Sequence, residues 1–254
     1  MPASAGMTPM LSIIIPTLDE ASHIAATLDA LAPLRMRGAE AIVVDGGSSD
    51  GTVDLARPHA DRVLVSPRGR ATQMNAGAAV ARGDVLVFLH ADTRLPPDAD
   101  RLIADGLVHS RKAWGRFDVS IDGRSPLLPL VAWSMNWRSR LTGIATGDQA
   151  MFVTGAAFAR VGGFPDVALM EDIALSASLK RVSAPLCPRE RAITSGRRWE
   201  EYGVLRNVLT VWRLRLAFFL GADPDALARD YACIPPSHAG RDKRRLTPAR
   251  PTRA

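Results

Sequence analysis

The chain has 254 residues, of which 47% are hydrophobic and 23% are charged, as is typical of a soluble globular protein. This length allows one large α/β domain or two small ones, with a substantial core. The formal net charge is +6, but residues 240–254 hold six basic residues against one acid and so account for +5 of it. The high isoelectric point therefore indicates a basic tail, and nucleic acid is excluded as an expected partner.

Short apolar runs alternate with helical patterns through the first half of the chain. Strands are predicted at residues 10–15, 39–44, 61–66 and 84–90, and helices at residues 20–32, 48–59 and 70–82. Ser49 or Asp50 is the expected cap of the second helix. Continuous apolar strands between helices favour a doubly wound, mostly parallel α/β sheet covered on both faces. Ligands bind at the carboxyl ends of such strands, which here are residues 16–20, 45–50, 66–70 and 90–93.

The second half of the chain is less regular, and its elements are assigned one by one. Strands are predicted at residues 114–121 and 148–154, and helices after Pro129 and at residues 155–164 and 171–182. Residues 200–221 are predicted to form one long helix or a helix pair. We expect one domain at residues 10–232, between a flexible N-terminus at residues 1–9 and a flexible basic tail at residues 233–254.

Three features bear on the compartment. Cys187 and Cys233 lie far apart in the sequence, so no disulfide framework is expected. The first ten residues lack the basic and apolar regions of a secretory signal. No uncharged stretch of 18 or more apolar residues predicts a membrane-spanning helix. A cytoplasmic protein is therefore expected.

The sharpest local signal is "VDGGSSDGT", in which a predicted strand delivers Asp45 to two glycines and a helix start. Glycine lets the backbone approach a ligand closely, because it has no Cβ. A capped strand-to-helix turn without a ligand explains the same residues equally well. The fingerprint of dinucleotide-binding folds and the phosphate-binding P-loop are both absent from the sequence.

Six motifs occur in the order seen in family 2 glycosyltransferases of the GT-A fold, namely "SIIIPTLDE", "VDGGSSDGT", "FLHADT", "GDQAMF", "GGFPD" and "LMEDIAL". The resemblance covers residues 11–221, and "GRATQMNAGA" with "FLHADTRLP" is similar to the small soluble subgroup described as radical-SAM/selenodomain-associated transferases. It implies a nucleotide-sugar-binding half at residues 10–95 and an acceptor half at residues 96–232. It also implies transfer of a sugar from a nucleotide-sugar, preferably a UDP-sugar, to an unidentified acceptor, with inversion at the anomeric carbon.

The same resemblance implies residues that bind the donor. They are Pro16, Thr17, Glu20, Asp45, Gly47, Arg68, Arg70, Asn75, His90 and Arg198. Asp45 stands where the family reads the base through a carboxylate, and Arg198 with Trp199 resembles a motif that closes the diphosphate site. Simpler interpretations remain for two sets: Glu20 as an acid at a helix start, and Arg68 with Arg70 in a solvated turn.

The segment "HADT" is expected to hold a divalent cation, Mg²⁺ or Mn²⁺. Such ions prefer oxygen ligands, and one carboxylate suffices where a diphosphate supplies the rest. Asp92 stands at the position that touches the metal in the family. Alternation along the strand places His90 on the same side, where its imidazole could bind a ribose hydroxyl or the metal. A satisfied histidine at a strand end is the alternative.

The acceptor side is expected to contain the catalytic base. The resemblance implies Asp172 as the base, with Glu171 beside it and Asp148 as the next candidate. The acceptor-side residues implied are Gln149, Gly163, Phe164 and Trp199. The alternatives are acids that only complement the helix dipole, ordinary turn chemistry and a core aromatic residue.

Two other functions are weighed against a glycosyltransferase. A nucleotidyltransferase would need a glycine-rich basic signature near the first strand, and "PTLDEASHI" has none. A non-catalytic nucleotide-binding or membrane-surface protein would not need both Asp92 and the acids at 171 and 172. Peripheral contact with a membrane stays open, because residues 204–220 are rich in apolar residues yet contain three arginines. A core helix that closes the acceptor half is the simpler interpretation of that segment.

Overall fold

Two sheets of unequal size organise residues 9–232, the part of the chain that the computed structural model describes. Apart from residue 9, the N-terminus predicted to be flexible lies outside the described residues, as does the basic tail at residues 233–254. No described helix is long and apolar enough to cross a membrane.

The strands are β1 Leu11–Thr17, β2 Glu40–Asp45, β3 Arg62–Val65, β4 Val85–Phe88, β5 Thr93–Arg94, β6 Trp114–Arg116, β7 Asp118–Asp122, β8 Met151–Thr154 and β9 Arg191–Ser195. The helices are α1 Ile24–Ala30, α2 Ala32–Met36, α3 Thr52–Ala56, α4 Arg70–Val80, α5 Ala99–Ser110, α6 Leu128–Thr142, α7 Gly155–Val161, α8 Glu171–Leu179, α9 Arg197–Tyr202, α10 Val204–Phe219 and α11 Pro224–Ala232. A 3₁₀ helix spans Gly147–Gln149.

The larger sheet has six strands in the order β3-β2-β1-β4-β8-β6. Its first four strands are mutually parallel, whereas β8 runs antiparallel to both β4 and β6. The predicted mostly parallel α/β sheet is therefore confirmed. In the register of the central pair Thr17 lies opposite Asp45, so the loops after β1 and β2 leave the same edge of the sheet.

Helices cover both faces of this sheet, as the continuous apolar strands predict. Ile13 and Ile15 of β1 point into a core cluster with α1, α3 and α5, whereas Ile14 points into a second cluster with α4, α7 and α8. Adjacent strand residues alternate between the two faces, so residues 11–15 are apolar except for buried Ser12, whose hydroxyl donates to Glu40 Oε1 at 2.6 Å. The result is a rigid platform whose carboxyl edge is free to carry polar loops.

The smaller sheet has the order β5-β9-β7 and lies beyond the end of β4. Its strand β9 pairs antiparallel with β5, and the Ser195 amide donates to the Asp92 carbonyl at 3.2 Å. The chain that follows β9 is thereby brought to the "HADT" segment, although about a hundred residues separate the two in sequence.

Three local predictions differ from the structure, and one open alternative is decided by it. Gly51 precedes α3 with φ +85° and no side chain caps it, so neither Ser49 nor Asp50 is the N-cap. Residues 147–149 form a 3₁₀ turn and β8 begins only at Met151. The strand predicted at residues 114–121 breaks between β6 and β7. Gly203, with φ +78°, separates α9 from α10 and decides for a helix pair.

Candidate functional site

The loops after β1 and β2 are tied together by reciprocal hydrogen bonds. The Asp19 amide donates to Ser48 Oγ and the Ser49 amide donates to Asp19 Oδ1, both at 2.8 Å. The Glu20 amide donates to Thr52 Oγ1, also at 2.8 Å. Small polar residues that bond to nearby backbone are favoured in such turns, which explains the composition of "VDGGSSDGT". Together the two loops form one ordered wall at the carboxyl edge.

Asp45 is only 1% exposed, and both of its carboxylate oxygens are already used. Oδ2 accepts the amides of Gly47 and Ser48 at 2.8 Å each, and Oδ1 accepts the Ser48 hydroxyl and, at 3.3 Å, that of Thr17. Asp45 therefore shapes the turn that exposes Gly47, whose φ is +91°. A direct contact between this carboxylate and a base requires that turn to rearrange.

Gln73 of α4 holds the ends of the two central strands together. Its Nε2 donates at 2.8 Å to the carbonyls of Thr17 and Val44, and the side chain is 4% exposed. Pro16 is partly exposed beside this position, whereas the Thr17 side chain is buried. The donor-side edge is therefore pre-organised by a buried amide that the motifs alone do not single out.

Asp92 follows β4 and lies near Glu20, since the charge of Asp92 acts on the Glu20 carboxyl. Glu20 Oε2 is 3.5 Å from both Arg197 Nη2 and His23 Nδ1. Burial raises the pKa of Glu20, and Asp92 adds to this while Arg197 and His23 oppose it. The two carboxyl groups, in the loops after β1 and β4, are therefore close enough for their charges to interact.

The residues around Asp92 could hold a divalent cation only if other molecules complete its coordination. Within residues 9–232 no group of three or more His, Cys, Asp or Glu side chains is arranged to hold a metal by itself. Asp92 offers carboxylate oxygens, and Glu20, whose carboxyl feels the charge of Asp92, has its Oε2 held 3.5 Å from Arg197 and His23. Such a site suits an ion that takes its other oxygens from a diphosphate and water.

His90, in the loop after β4, points to the 3₁₀ helix at Gly147–Gln149. Its Nδ1 lies 3.3 Å from Asp148 Oδ1, and its Nε2 is buried without a hydrogen-bond partner in the described chain. A Cβ at Gly147 would overlap His90 Nε2, so any larger residue there would force the imidazole to move. His90 therefore links the end of β4 to the 3₁₀ turn that contains Asp148.

Asp172 and Glu171 begin α8 and face different partners. Glu171 is buried and its Oε1 accepts Arg70 Nη1 at 3.2 Å. Asp172 Oδ2 accepts the Gly147 amide at 2.8 Å, and Oδ1 accepts the Ile173 amide at 2.7 Å. Asp172 is therefore held beside the 3₁₀ turn, as the roughly 100° between adjacent helix residues predicts.

The two acceptor-side aspartates have pKa values shifted in opposite directions. Burial, followed by repulsion from Glu171, raises the pKa of Asp172. Burial also acts to raise the pKa of Asp148, but the hydrogen bond and charge of His90, with Arg70 and Arg215, hold that pKa below its ordinary value. Two carboxyl groups whose pKa values are shifted in opposite directions can serve as one proton acceptor and one group that stays ionised.

Several residues predicted to contact ligands have structural partners instead. Asn75 donates to the Phe164 carbonyl at 2.8 Å and accepts its amide at 3.0 Å. Phe164 is 3% exposed and meets the Phe88 ring edge-on, with centroids 4.7 Å apart. Gly163 is needed because a Cβ there would lie 2.8 Å from Asn75 Oδ1. Fully buried Gln149 closes a capping box with Thr146.

The two arginines at the start of α9 contact different residues. Arg197 reaches Glu20, as described above, whereas the Arg198 guanidinium lies 4.2 Å from the centroid of the Tyr231 ring. Trp199 is partly buried against the cluster between α6 and α10. Arg68 is exposed in the turn before α4. Arg197, rather than Arg198, is thus the arginine beside Asp92 and Glu20.

Five residues of this region had no signal in the sequence analysis: Gln73, Arg138, Arg197, Arg215 and Tyr231. All five are on helices, and four of them reach the site only through tertiary packing. The fifth, Arg197, stood next to the arginine that the motif singled out. Its position beside that motif is the only indication of a role that the sequence contains for these five residues.

Comparison with known proteins agrees with this arrangement. The sequence description of the family "Glycosyl transferase family 2" matches residues 12–166. A PGL/p-HBAD biosynthesis glycosyltransferase from Mycobacterium bovis is 40% identical over 94 residues, which are 34% of this chain and 37% of that protein. The succinoglycan biosynthesis protein ExoA from Rhizobium meliloti is 39% identical over 106 residues, 38% of this chain and 32% of that protein. The matches thus span about a third of these relatives' own lengths.

Two solved structures share the fold. The mannosyltransferase PcManGT from Pyrobaculum calidifontis, in complex with GDP-Man and Mn²⁺, has a TM-score of 0.60 at 22% identity, covering 89% of this chain and 70% of its own. TarS 1–349 from S. aureus, in complex with UDP-GlcNAc, has a TM-score of 0.59 at 17% identity, covering 73% of this chain and 58% of its own. These likenesses confirm the predicted GT-A fold and carry no more than that. Because the family description matches more than half of the chain, the protein belongs to glycosyl transferase family 2.

Proposed function

We propose that this protein transfers a sugar from a nucleotide-sugar, preferably a UDP-sugar, to an acceptor hydroxyl with inversion of the anomeric carbon. One observation carries the proposal. His90, two residues before Asp92, contacts Asp148, and the Gly147 amide next to Asp148 holds Asp172. A candidate donor ligand and a candidate base are thereby joined across one cleft. The narrower likeness to radical-SAM/selenodomain-associated transferases rests on two sequence motifs and stays a prediction.

Each half of the cleft has its own task in this proposal. The wall formed by the loops after β1 and β2 binds the nucleoside, with the backbone of Pro16, Thr17 and exposed Gly47 closest to it. Asp172 accepts the proton of the acceptor hydroxyl. At the same time the oxygen of that hydroxyl bonds to the anomeric carbon of the sugar. The bond from that carbon to the diphosphate breaks, and the nucleoside diphosphate leaves with the electron pair.

Asp92 is the residue that would hold a divalent cation in this site, with Glu20 nearby and His90 above it. Mg²⁺ or Mn²⁺ bound there would neutralise charge on the departing diphosphate. Arg197 lies on the same side and can add a hydrogen bond to phosphate oxygen.

The proposal is tested by hydrolysis of a donor panel, because many glycosyltransferases slowly pass the sugar to water. UDP-sugars, GDP-sugars and nucleoside triphosphates are incubated with the full chain, with and without Mn²⁺. Release of free sugar from a nucleotide-sugar, dependent on Asp172, supports glycosyl transfer. Cleavage of a triphosphate to pyrophosphate instead would favour the nucleotidyltransferase alternative.

The exposed face of α10 favours peripheral contact of this enzyme with an anionic membrane surface. Six large apolar side chains on that face are each more than 60% exposed: Leu205, Leu209, Trp212, Leu216, Phe219 and Leu220. Arg215 points inward instead, so the charges at 213 and 215 do not interrupt the apolar stripe. Exposed Arg213 beside the stripe, together with the basic residues 240–254, complements anionic lipid. α10 is thus only partly the core helix considered as the simpler alternative.

A further inference from the structure

Two half-buried arginines, Arg138 and Arg215, have buried guanidinium donors that lack hydrogen-bond partners. Arg138 of α6 has its Nε and Nη2 buried and unpaired within residues 9–232, and Arg215 of α10 has its Nε in the same condition. Arg138 uses one remaining donor, Nη1, on the Ile144 carbonyl at 3.2 Å. Guanidinium groups present donors in a fixed fork, and leaving them unpaired in the interior is costly. A ligand that supplies acceptor oxygens would remove this cost.

Residues next to both arginines pack in one buried cluster with the residue that follows Asp172. Ile144, Ile173 and Leu214 share one buried cluster. Arg138 donates a hydrogen bond to the Ile144 carbonyl. Arg215 follows Leu214 in the sequence, and Asp172 precedes Ile173. No salt bridge shorter than 4 Å joins either arginine to an acid in the described chain, so neither is neutralised directly.

The electrostatics support this placement. Burial, followed by repulsion from Arg215, lowers the pKa of Arg138 to about 10, with Asp172 opposing the shift. Burial likewise lowers the pKa of Arg215, against the charges of Asp172 and Asp148. Two like charges held together by the fold are typical of a site that binds a doubly charged anion.

We propose that Arg138 and Arg215 form a subsite for a phosphate group on the acceptor. A phosphate ester has two negative charges and three terminal oxygens, which match two guanidinium forks. With its phosphate there, the acceptor would present a neighbouring hydroxyl to partly exposed Asp172. The inference rests on the proposed function, because Asp172 is the base in that proposal. α11 forms the outer wall of this subsite, since Leu227 packs into the cluster that flanks the two arginines.

The first test is binding of inorganic phosphate, by calorimetry and by the shift of the melting temperature. Arg138→Gln and Arg215→Gln should each weaken phosphate binding by about tenfold or more, whereas exposed Arg213→Gln on the same helix should not. The glutamine variants should melt no lower than the wild type without phosphate, because they remove a repulsion. If either fails to fold, Arg138→Lys and Arg215→Lys keep the charge but lose the fork, and binding should still weaken. Unchanged phosphate affinity in these variants would overturn the proposal.

UDP with Mn²⁺ is titrated into the same variants, which separates this inference from the proposed function. UDP should bind the wild type, Arg138→Gln and Arg215→Gln equally, and phosphate should not displace it. Competition between phosphate and UDP would assign the arginines to the donor diphosphate and overturn the acceptor subsite. Absence of UDP binding to the wild type would count against the proposed function and would leave the phosphate result to stand by itself.

A final arm distinguishes the source of the phosphate. Bound inorganic phosphate is challenged with glycerol 3-phosphate, and separately with phosphatidylcholine vesicles that contain phosphatidic acid. Displacement by the first indicates a soluble phosphate ester, and displacement by the second indicates a lipid acceptor. If neither displaces it, the phosphate is an adventitious ion only and the proposal fails.

Discussion

His90 and Asp148 come from different parts of the fold, and His90 Nδ1 lies 3.3 Å from Asp148 Oδ1. One comes from the end of β4 and the other from the 3₁₀ turn before β8, so the contact joins the two halves of the domain. A carboxylate that binds one nitrogen of an imidazole fixes the orientation of the ring. Because Nδ1 contacts Asp148 and Nε2 is buried, we propose that His90 orients the site and that Asp92 is the oxygen ligand of the metal.

We predict that Asp92→Asn abolishes the Mn²⁺-dependent part of UDP binding, because it removes the carboxylate that faces the diphosphate. His90→Ala should weaken that dependence by about tenfold, as the loss of an orienting residue does. Calorimetric titration of UDP at several Mn²⁺ concentrations measures both effects, and exposed Asp105→Asn on α5 serves as the control. Wild-type metal dependence in Asp92→Asn would show that the site is elsewhere.

Asp172→Asn should lower turnover by a factor on the order of 10² or more while UDP affinity stays near the wild-type value. The amide can still accept a hydrogen bond from the Gly147 amide, but it cannot take a proton. Donor hydrolysis gives the turnover and calorimetry gives the affinity. Glu171→Gln should cost less, since Glu171 is buried against Arg70. Near-normal turnover in Asp172→Asn would pass the role of base to Asp148.

The pH dependence of turnover should follow the ionisation of Asp172. Its pKa is raised in the folded protein, so the base is active above that value and turnover falls as the pH drops through it. Glu171→Gln removes a negative neighbour and should move this acidic limb to lower pH. Arg70→Gln removes a positive neighbour and should move it to higher pH. Rates of donor hydrolysis at saturating donor between pH 4 and about 8 report the limb. Shifts in the opposite directions would exclude Asp172 as the titrating group.

Asn75→Ala should act on stability rather than on donor recognition. It removes two hydrogen bonds to the backbone of Phe164 and leaves that amide unpaired, which should lower the free energy of unfolding by about 1–3 kcal/mol. Urea unfolding with an unchanged slope measures the loss, and Asn75→Asp is the matched variant that keeps only the acceptor oxygen. A large fall in UDP affinity without a loss of stability would return Asn75 to the nucleotide site.

The exposed stripe of α10 should bind anionic vesicles at low salt and release them at high salt. Replacing Leu209 and Trp212 with serine should abolish cosedimentation, because apolar insertion and not charge alone holds the helix. Val108→Ser on α5 is the control, since Val108 is equally exposed at 69% on another helix. Failure of the wild type to sediment with vesicles at low salt would contradict the membrane contact. A concentration-dependent dimer would identify a second copy of the chain as the partner of the stripe.

The order of strands and helices could be predicted from the sequence, because burial on both faces of a parallel sheet demands continuous apolar runs such as residues 41–44. The places of Asp92 and Asp172 followed in turn, since each stands directly after or at the start of a strong periodic element. The direction in which a side chain points within a less regular element could not be predicted. Arg197 and Arg198 are adjacent, yet only the docking of β9 against β5 sends Arg197 towards Glu20.

The sequence by itself thus determined the fold class and the strand ends at which polar groups gather. The tertiary structure alone decided which of those groups meet. Asp45 and Asn75 are of residue types that often bind ligands, but their polar atoms form hydrogen bonds with the backbone of this chain. Arg138 and Arg215 have no motif, and the charge of Asp172 acts on both only because the loop after α6 packs against α8 and α10 in one cluster. Contacts between residues distant in sequence depend on how complete elements pack, and a local pattern contains no information on that packing.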